Sequence, residues 1–336
     1  MDFSLIPCKP YRFARREADP RNLCSTVPCS EIPFGDTSTS PRTARLKMTQ
    51  MLSIEPNQGA TLGARVTGVT LAQLDDATFK QIEDAWHIHG VLIFPEQFLS
   101  DEEQVAFSRR FGGLEKLITK IAADPNIGVL SNVRPNGQLI EPEGSYALFL
   151  LGNTFWHTDS SFKRVPSKAS LLSARQVSSE GGETEWADMR AAYDALDDAT
   201  KVDLQEASAI HSYRYSQGLV GGVDVLSEEE WKALPPVEHP IIRTHPATGR
   251  KNLYLGRHAS HISGRDVEES RALLNRLTDE ASKPPRVFSH TWSEGDIVIW
   301  DNRCVLHRGR TWPAEQARTM ARTTIAGDDD TNEWTL

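Results

Sequence analysis

Only four cysteines occur in 336 residues, and three of them (Cys8, Cys24 and Cys29) fall within the first thirty positions. Cys304 is alone in the rest of the chain. That excludes a disulfide framework and a cysteine-rich zinc finger, and it suits a reducing compartment such as the cytoplasm. Long apolar runs are also missing. No stretch approaches 18 apolar residues, so the sequence predicts no transmembrane helix and no membrane partner. Positive charge is the third shortage. The first fifty residues carry eight Lys and Arg against five Asp and Glu, which leaves 29 against 41, a charge of −12, for residues 51–336. A body that acidic lacks the basic face that nucleic acid requires. No internal repeat is found.

Apolar content of 39% and charged content of 25% are ordinary for a globular protein with a full core, in one large domain or two modest ones. Residues 1–50 differ from the rest. They are rich in Pro, Ser, Thr and Arg, show no periodicity, and end where Met48 and Met51 occur. They read as a disordered extension or as residues upstream of the true start, with 51–336 as a single domain. An organelle-targeting segment is the rival, because Arg12, Arg15, Arg16 and Arg21 recur there. Glu17, Asp19, Glu31 and Asp36 count against it, since transit peptides avoid acids.

From residue 60 the pattern becomes regular. A strand-like run, 64–69, leads to a helix that Asp75 or Asp76 can cap, with Phe79, Ile82 and Trp86 on one face and Gly90 as its stop. VLIF at 91–94 reads as a buried strand, and Ser100 with Glu103 forms a capping box for the next helix. A loop-rich stretch follows at about 121–150. Strands are expected around 153–160, 169–177 and 183–188, helices near 188–207 and 265–281, a hairpin over 239–256 turning at Pro246–Gly249, and strands again over 286–326. Many short strands with helices at the margins predict a mainly β protein, a sandwich or barrel with flanking helices.

The motif WHTD (156–159) spaces a histidine and a carboxylate two apart, which on a strand turns both to one face. That supplies two of the three ligands of a 2-His-1-carboxylate metal site. With ten histidines in the chain, chance alone gives about 0.7 such spacings, so the pair decides nothing by itself. The best third ligand is His307 in IVIWDNRCVLHRGR, at the end of a strand-like run. His87, His89, His211, His239, His245 and His290 read as structural, and a zinc site at His258 and His261 stays open. Arg318 and Arg322 are four apart, so on a strand they share a face about 13 Å apart. Two inward guanidiniums are expensive unless each meets an anion, and solvent-facing arginines are the alternative. Thr319, Ala321 and Thr323 take the opposite face and are barely polar enough for an outer one.

These residues carry a resemblance. From about residue 55 to 328 the chain resembles the iron(II)/2-oxoglutarate dioxygenases of the taurine dioxygenase type, most of all their dichlorophenoxyacetate dioxygenase branch. The strongest blocks are LGNTFWHTDSSF (151–162), GGETEWADMRAAYDAL (181–196), RTHPATGRKNLYLG (243–256) and WDNRCVLHRGR (300–310). Thr184 stands 27 residues after His157, and Arg318 and Arg322 stand 11 and 15 after His307, as in the family's motif. The resemblance implies a double-stranded β-helix, or jelly roll, in which His157, Asp159 and His307 hold the catalytic Fe(II), leaving positions for 2-oxoglutarate and O₂. It implies Arg318 and Thr184 on the distal carboxylate of 2-oxoglutarate, Arg322 on the anionic group of a small-molecule substrate, and Asn153 and Lys120 as further substrate contacts. Trp156 and Trp300 would wall the iron pocket or fill core.

Because a carboxylate occupies the ligand position that related halogenases leave to chloride, hydroxylation is the expected reaction. On a carbon between an aryl ether oxygen and a carboxylate it yields a hemiacetal that collapses to a phenol and glyoxylate. The alternatives are the same chemistry on a sulfonate, a sulfate ester or another organic acid, a zinc-dependent hydrolase with the same three ligands, and a silent jelly-roll binding protein. A hydrolase would need neither Arg318 nor Thr184 at those spacings. A homo-oligomer is left open.

Overall fold

The computed structural model describes residues 51–116, 126–134, 136–140 and 143–328. The expected leader 1–50 and Lys120 therefore lie outside the described residues. No described helix is long and apolar enough to cross a membrane.

The larger sheet has seven strands in the order Ser53–Pro56, Ala64–Thr67, Val91–Phe94, Ile297–Asp301, Ala169–Gln176, Thr319–Ile325 and Gly128–Ser131. All its pairings are antiparallel except that of Ala64–Thr67 with Val91–Phe94. A smaller antiparallel sheet holds Val287–His290, Thr184–Asp188 and Val305–Gly309. Period-two alternation explains how the layers stack. In the Ile297–Asp301 strand, Ile297 and Ile299 turn to a cluster with Phe79, Ile82 and Trp86, while Val298 and Trp300 turn to one with Trp186 and Val305 of the smaller sheet. Trp186 and Ala187 divide in the same way, Ala187 packing with Leu274 and Leu277 beyond the smaller sheet. The expected jelly roll is thus two facing sheets with helices outside each.

Local signals place the helices. Asp75 caps Asp76–His89 by accepting from the Thr78 N–H at 2.7 Å, and Gly90 ends it at φ 72°, where a side chain would be strained. Ser100 and Glu103 close the capping box of Asp101–Arg109. That second helix resolves the puzzle of the weakly polar face on Thr319–Ile325. Thr323 shares a 2.6 Å hydrogen bond with Ser108, and Ala321 packs on Val105, so the face opposite the arginines is covered rather than wet. The hairpin forms from Ile242–Thr244 and Lys251–Leu253.

Three expectations are corrected. The region 153–160 is no strand: a helix, Gly144–Asn153, ends there, and His157 makes only an isolated bridge with His307 before a turn in which Ser160 has φ 56°. The loop-rich stretch therefore holds this helix and the Gly128–Ser131 strand. The helix over 188–207 is two short ones, Met189–Asp194 and Asp198–Leu204, because Asp197 caps a fresh start. Gly144–Asn153 escaped sequence reading because its apolar residues follow no amphipathic stripe. None of its large side chains whose packing is described is fully buried, and Phe149 stays 43% exposed.

Candidate active site

His157 and His307 meet across their bridge, with backbone hydrogen bonds of 3.0 and 2.7 Å that set the imidazoles 4.2 Å apart. Gly256 supports the arrangement from behind. Its φ is 116°, and a Cβ there would sit 3.1 Å from the Trp156 carbonyl and 3.3 Å from the His157 Cα. Asp159 completes the set, its Oδ2 3.7 Å from His307 Nε2. One donor atom from each of the three residues lies within 4.8 Å of the others, and all three side chains are nearly buried.

The donor chemistry fits a divalent metal. His157 Nδ1 donates to the Phe155 carbonyl at 2.8 Å, since a carbonyl only accepts, and this leaves Nε2 with its lone pair. Burial holds His157 well below the usual imidazole range and pushes His307 down to about 4. Burial alone would raise Asp159, but Arg322, His307, His157 and the Ser170 hydroxyl outweigh it and hold the carboxyl well below its ordinary value. Two neutral imidazoles and one ionised carboxylate are the ligating forms. Carried on a single facial set, they match the non-haem Fe(II) triad and not a closed structural zinc site.

A network that the sequence did not reveal fixes Asp159. Ser170 Oγ donates to its Oδ2 at 2.6 Å, and Asn302 Nδ2 donates in turn to Ser170 at 3.0 Å and Ser167 at 3.1 Å. Asn302 Oδ1 accepts from Trp300 Nε1 at 3.0 Å. Asn302 is two residues beyond Trp300 on a short turn, so only the fold brings it under Asp159.

A cavity of about 340 Å³ opens beside His157 and His307. Leu130, Ile140, Leu150, Leu172, Trp300 and Trp312 are among its apolar walls, and Asn153, Thr184, Arg318 and Arg322 supply polar groups. Arg318 lies just ahead of the Thr319–Ile325 strand. Its Nη2 donates to the Gly182 carbonyl at 3.0 Å, its guanidinium lies 4.9 Å over the Trp312 ring, and burial pushes it down to about 10. A Cβ on Gly182 would come within 2.8 Å of Arg318 Nε, so that glycine makes room for the cation. Thr184 Oγ1 accepts from Trp292 Nε1 at 3.0 Å, which leaves its own O–H for the cavity. Arg322 Nη1 reaches Asp159 Oδ1 at 3.3 Å, while its Nε is buried without a partner among the described residues.

The structure therefore brings together seven of the eight expected site residues, and Lys120 falls outside the described region. Trp300 walls the cavity. Trp156 instead joins the core beyond the smaller sheet, with the Arg308 guanidinium 4.4 Å over its ring. The His258 and His261 pair forms no metal cluster among the described residues: His258 Nδ1 is engaged by Ser216 Oγ at 2.8 Å. Arg257 was not anticipated either. It donates to the Gly152 carbonyl and so ties down the last turn of Gly144–Asn153.

A jelly roll with a facial His/Asp/His set beside a cavity lined by arginines defines a mononuclear non-haem oxygenase. The chain belongs to the taurine catabolism dioxygenase TauD, TfdA family, whose model matches residues 53–324. It is similar to the (S)-phenoxypropionate/alpha-ketoglutarate-dioxygenase of Sphingobium herbicidovorans, with 44% identity over 276 residues that cover 80% of this chain and 93% of the relative. The alpha-ketoglutarate-dependent 2,4-dichlorophenoxyacetate dioxygenase of a Burkholderia strain is 40% identical over 260 residues, 76% of this chain and 87% of the relative. Among solved structures, AAD-2 in complex with Mn(II) and N-oxalylglycine superposes with a TM-score of 0.77 at 39% identity, covering 83% of this chain and 98% of that one.

Proposed function

We propose that this enzyme is an Fe(II)- and 2-oxoglutarate-dependent dioxygenase that hydroxylates an aryloxyalkanoate at the carbon between ether oxygen and carboxylate. For an aryloxyacetate the resulting hemiacetal collapses to a phenol and glyoxylate. The observation that carries this reading is the cavity itself: aromatic and aliphatic walls, with two cations, Arg318 and Arg322, beside the His/Asp/His set. An aryl ring with one carboxylate matches that division, and a dicarboxylate cosubstrate accounts for the second cation. The named activities of the relatives support the same class. N-oxalylglycine in the AAD-2 structure has carboxylates at both ends of a chain, as 2-oxoglutarate does.

His157, Asp159 and His307 would hold Fe(II), and Fe(II) when bound supplies the activation of O₂. Arg318 binds the distal carboxylate of 2-oxoglutarate with the Thr184 hydroxyl, a charge-assisted pair. Arg322, with one N–H on Asp159 and its Nε free, holds that ligand and a substrate carboxylate together. Asn153 offers an amide to the substrate from the helix end, and Lys120, outside the described residues, is proposed as a further carboxylate contact. Cytoplasmic residence agrees with the buried free thiol of Cys304.

The test is succinate release under air by the Fe(II)-loaded protein, over a panel of aryloxyacetates, phenoxypropionates, alkyl sulfonates and sulfate esters. Aryloxyalkanoates should stimulate release and give one phenol per succinate. Stimulation by sulfonates or sulfate esters alone would overturn the substrate class, and turnover without O₂ would overturn the reaction.

A further inference from the structure

The helix Gly144–Asn153 faces the cavity with Tyr146, Leu150 and Asn153, spaced four and three apart on one side. Tyr146 Oη is buried and has no hydrogen-bond partner among the described residues. Buried hydroxyls in native proteins are nearly always paired, so an unpaired one on a cavity wall marks a place where a ligand atom belongs. Arg318, which lines the same cavity, makes one side-chain hydrogen bond among the described residues, from Nη2 to Gly182, and keeps the rest of its fork for the cavity. Burial raises the Tyr146 phenol while Arg318 pulls it down, so the two groups sense each other and the phenol keeps its proton at neutral pH. Arg257 holds the last turn of the same helix through the Gly152 carbonyl.

We propose that the Tyr146 hydroxyl is a third donor to the distal carboxylate of the bound 2-oxo acid, beside Arg318 and Thr184. The choice of this anion over the substrate follows from the lining of the cavity: Tyr146 and Arg318 both border it with donors left over, and Arg322 is engaged with Asp159. The inference rests on the reading that 2-oxoglutarate meets Arg318. A carboxylate has lone pairs enough for a guanidinium fork and two hydroxyls, so all three donors can be used at once. Leu150 and Asn153, further along the same face, then border the space left for the substrate.

The test is anaerobic calorimetry on Fe(II)-loaded protein with two titrants, 2-oxoglutarate and 2-oxopentanoate, which has a methyl in place of the distal carboxylate. Tyr146→Phe should weaken 2-oxoglutarate about tenfold, the loss of one hydrogen bond to a charged group. It should leave 2-oxopentanoate within about twofold of the wild type. Unchanged 2-oxoglutarate affinity would overturn the proposal, and so would an equal loss for both titrants, which would make Tyr146 a mere wall. Arg318→Ala separates the premise from the inference. If that variant loses 2-oxoglutarate while Tyr146→Phe does not, only the inference fails. If Arg318→Ala also binds it normally, the placement of the cosubstrate is wrong.

Discussion

Replacing Asn302 with Ala tests whether the hydrogen bonds behind Asp159 orient the metal ligand or merely fill space. The side chain is 1% exposed, receives Trp300 Nε1 on Oδ1, and donates from Nδ2 to Ser167 and Ser170. Its loss strands the Trp300 N–H, which is nearly as buried, and a stranded buried donor costs about 1–3 kcal/mol. With the cavity left by the amide, about 3 kcal/mol in total is expected, or a fall of about 5–10 °C in the Tm of the metal-free protein. The second consequence is the informative one. Ser170, freed from Asn302, no longer has a fixed position from which to hold Asp159 Oδ2, and loss of such an outer partner weakens metal binding about 10–100-fold. Mn(II) titration followed by the electron paramagnetic resonance of the free ion measures it. Ser170→Ala should give the same loss of metal with a smaller drop in Tm, because it strands fewer groups. Metal affinity within twofold of the wild type in both variants would refute the chain from Asn302 through Ser170 to Asp159.

The two arginines should separate by ligand. Arg318→Ala should weaken 2-oxoglutarate about 30-fold or more while substrate binding changes little, and Arg322→Ala should do the reverse; anaerobic titration of each ligand decides, and equal losses would mean a shared structural charge cluster. Arg322→Ala should also weaken Mn(II) less than Asp159→Ala, since it removes a partner of the ligand and not the ligand. His211 gives a pH dependence: burial first, then His239 and Arg243, push it from an ordinary 6.5 to about 3. The unfolded chain takes up a proton as pH falls through 6.5 that the folded chain refuses until about 3, so His211 by itself removes about 2 kcal/mol of stability between pH 7.5 and 5. Urea midpoints at the two pH values should show it, and His211→Leu should shrink the difference by about that amount; an unchanged slope would clear His211. A chain starting at Met51 should melt and turn over like the full-length protein, and a large fall in Tm would show that residues 1–50 pack on the domain.

Much of the fold was legible where a single local cause acts. Asp75, Gly90 and the Ser100–Glu103 box set helix ends through bonds to neighbouring residues, and the alternation along Ile297–Asp301 has the period of a strand whichever sheet it joins. The His/Asp/His set, Thr184 and the two arginines were legible for a different reason: their spacings repeat a family pattern, and several such agreements at once are improbable by chance. The helix Gly144–Asn153 was not legible, because a segment that lines a cavity on one side and stays partly exposed on the other carries no core-facing stripe.

By itself, then, the sequence determined which residues hold charge, lone pairs and turn geometry, and so the class of chemistry: two imidazoles, a carboxylate and paired cations in an acidic chain with one cysteine in its body. Tertiary structure alone decided how these meet. The His157–His307 bridge joins residues far apart in the chain, Asn302 reaches Asp159 only because two strands and a turn converge, and Tyr146 and Arg318, from separate elements, line one cavity. Spacing along a chain encodes contacts within a helical turn or a strand pair. Contacts between separate elements depend on how the layers close, and no local pattern of residues records that.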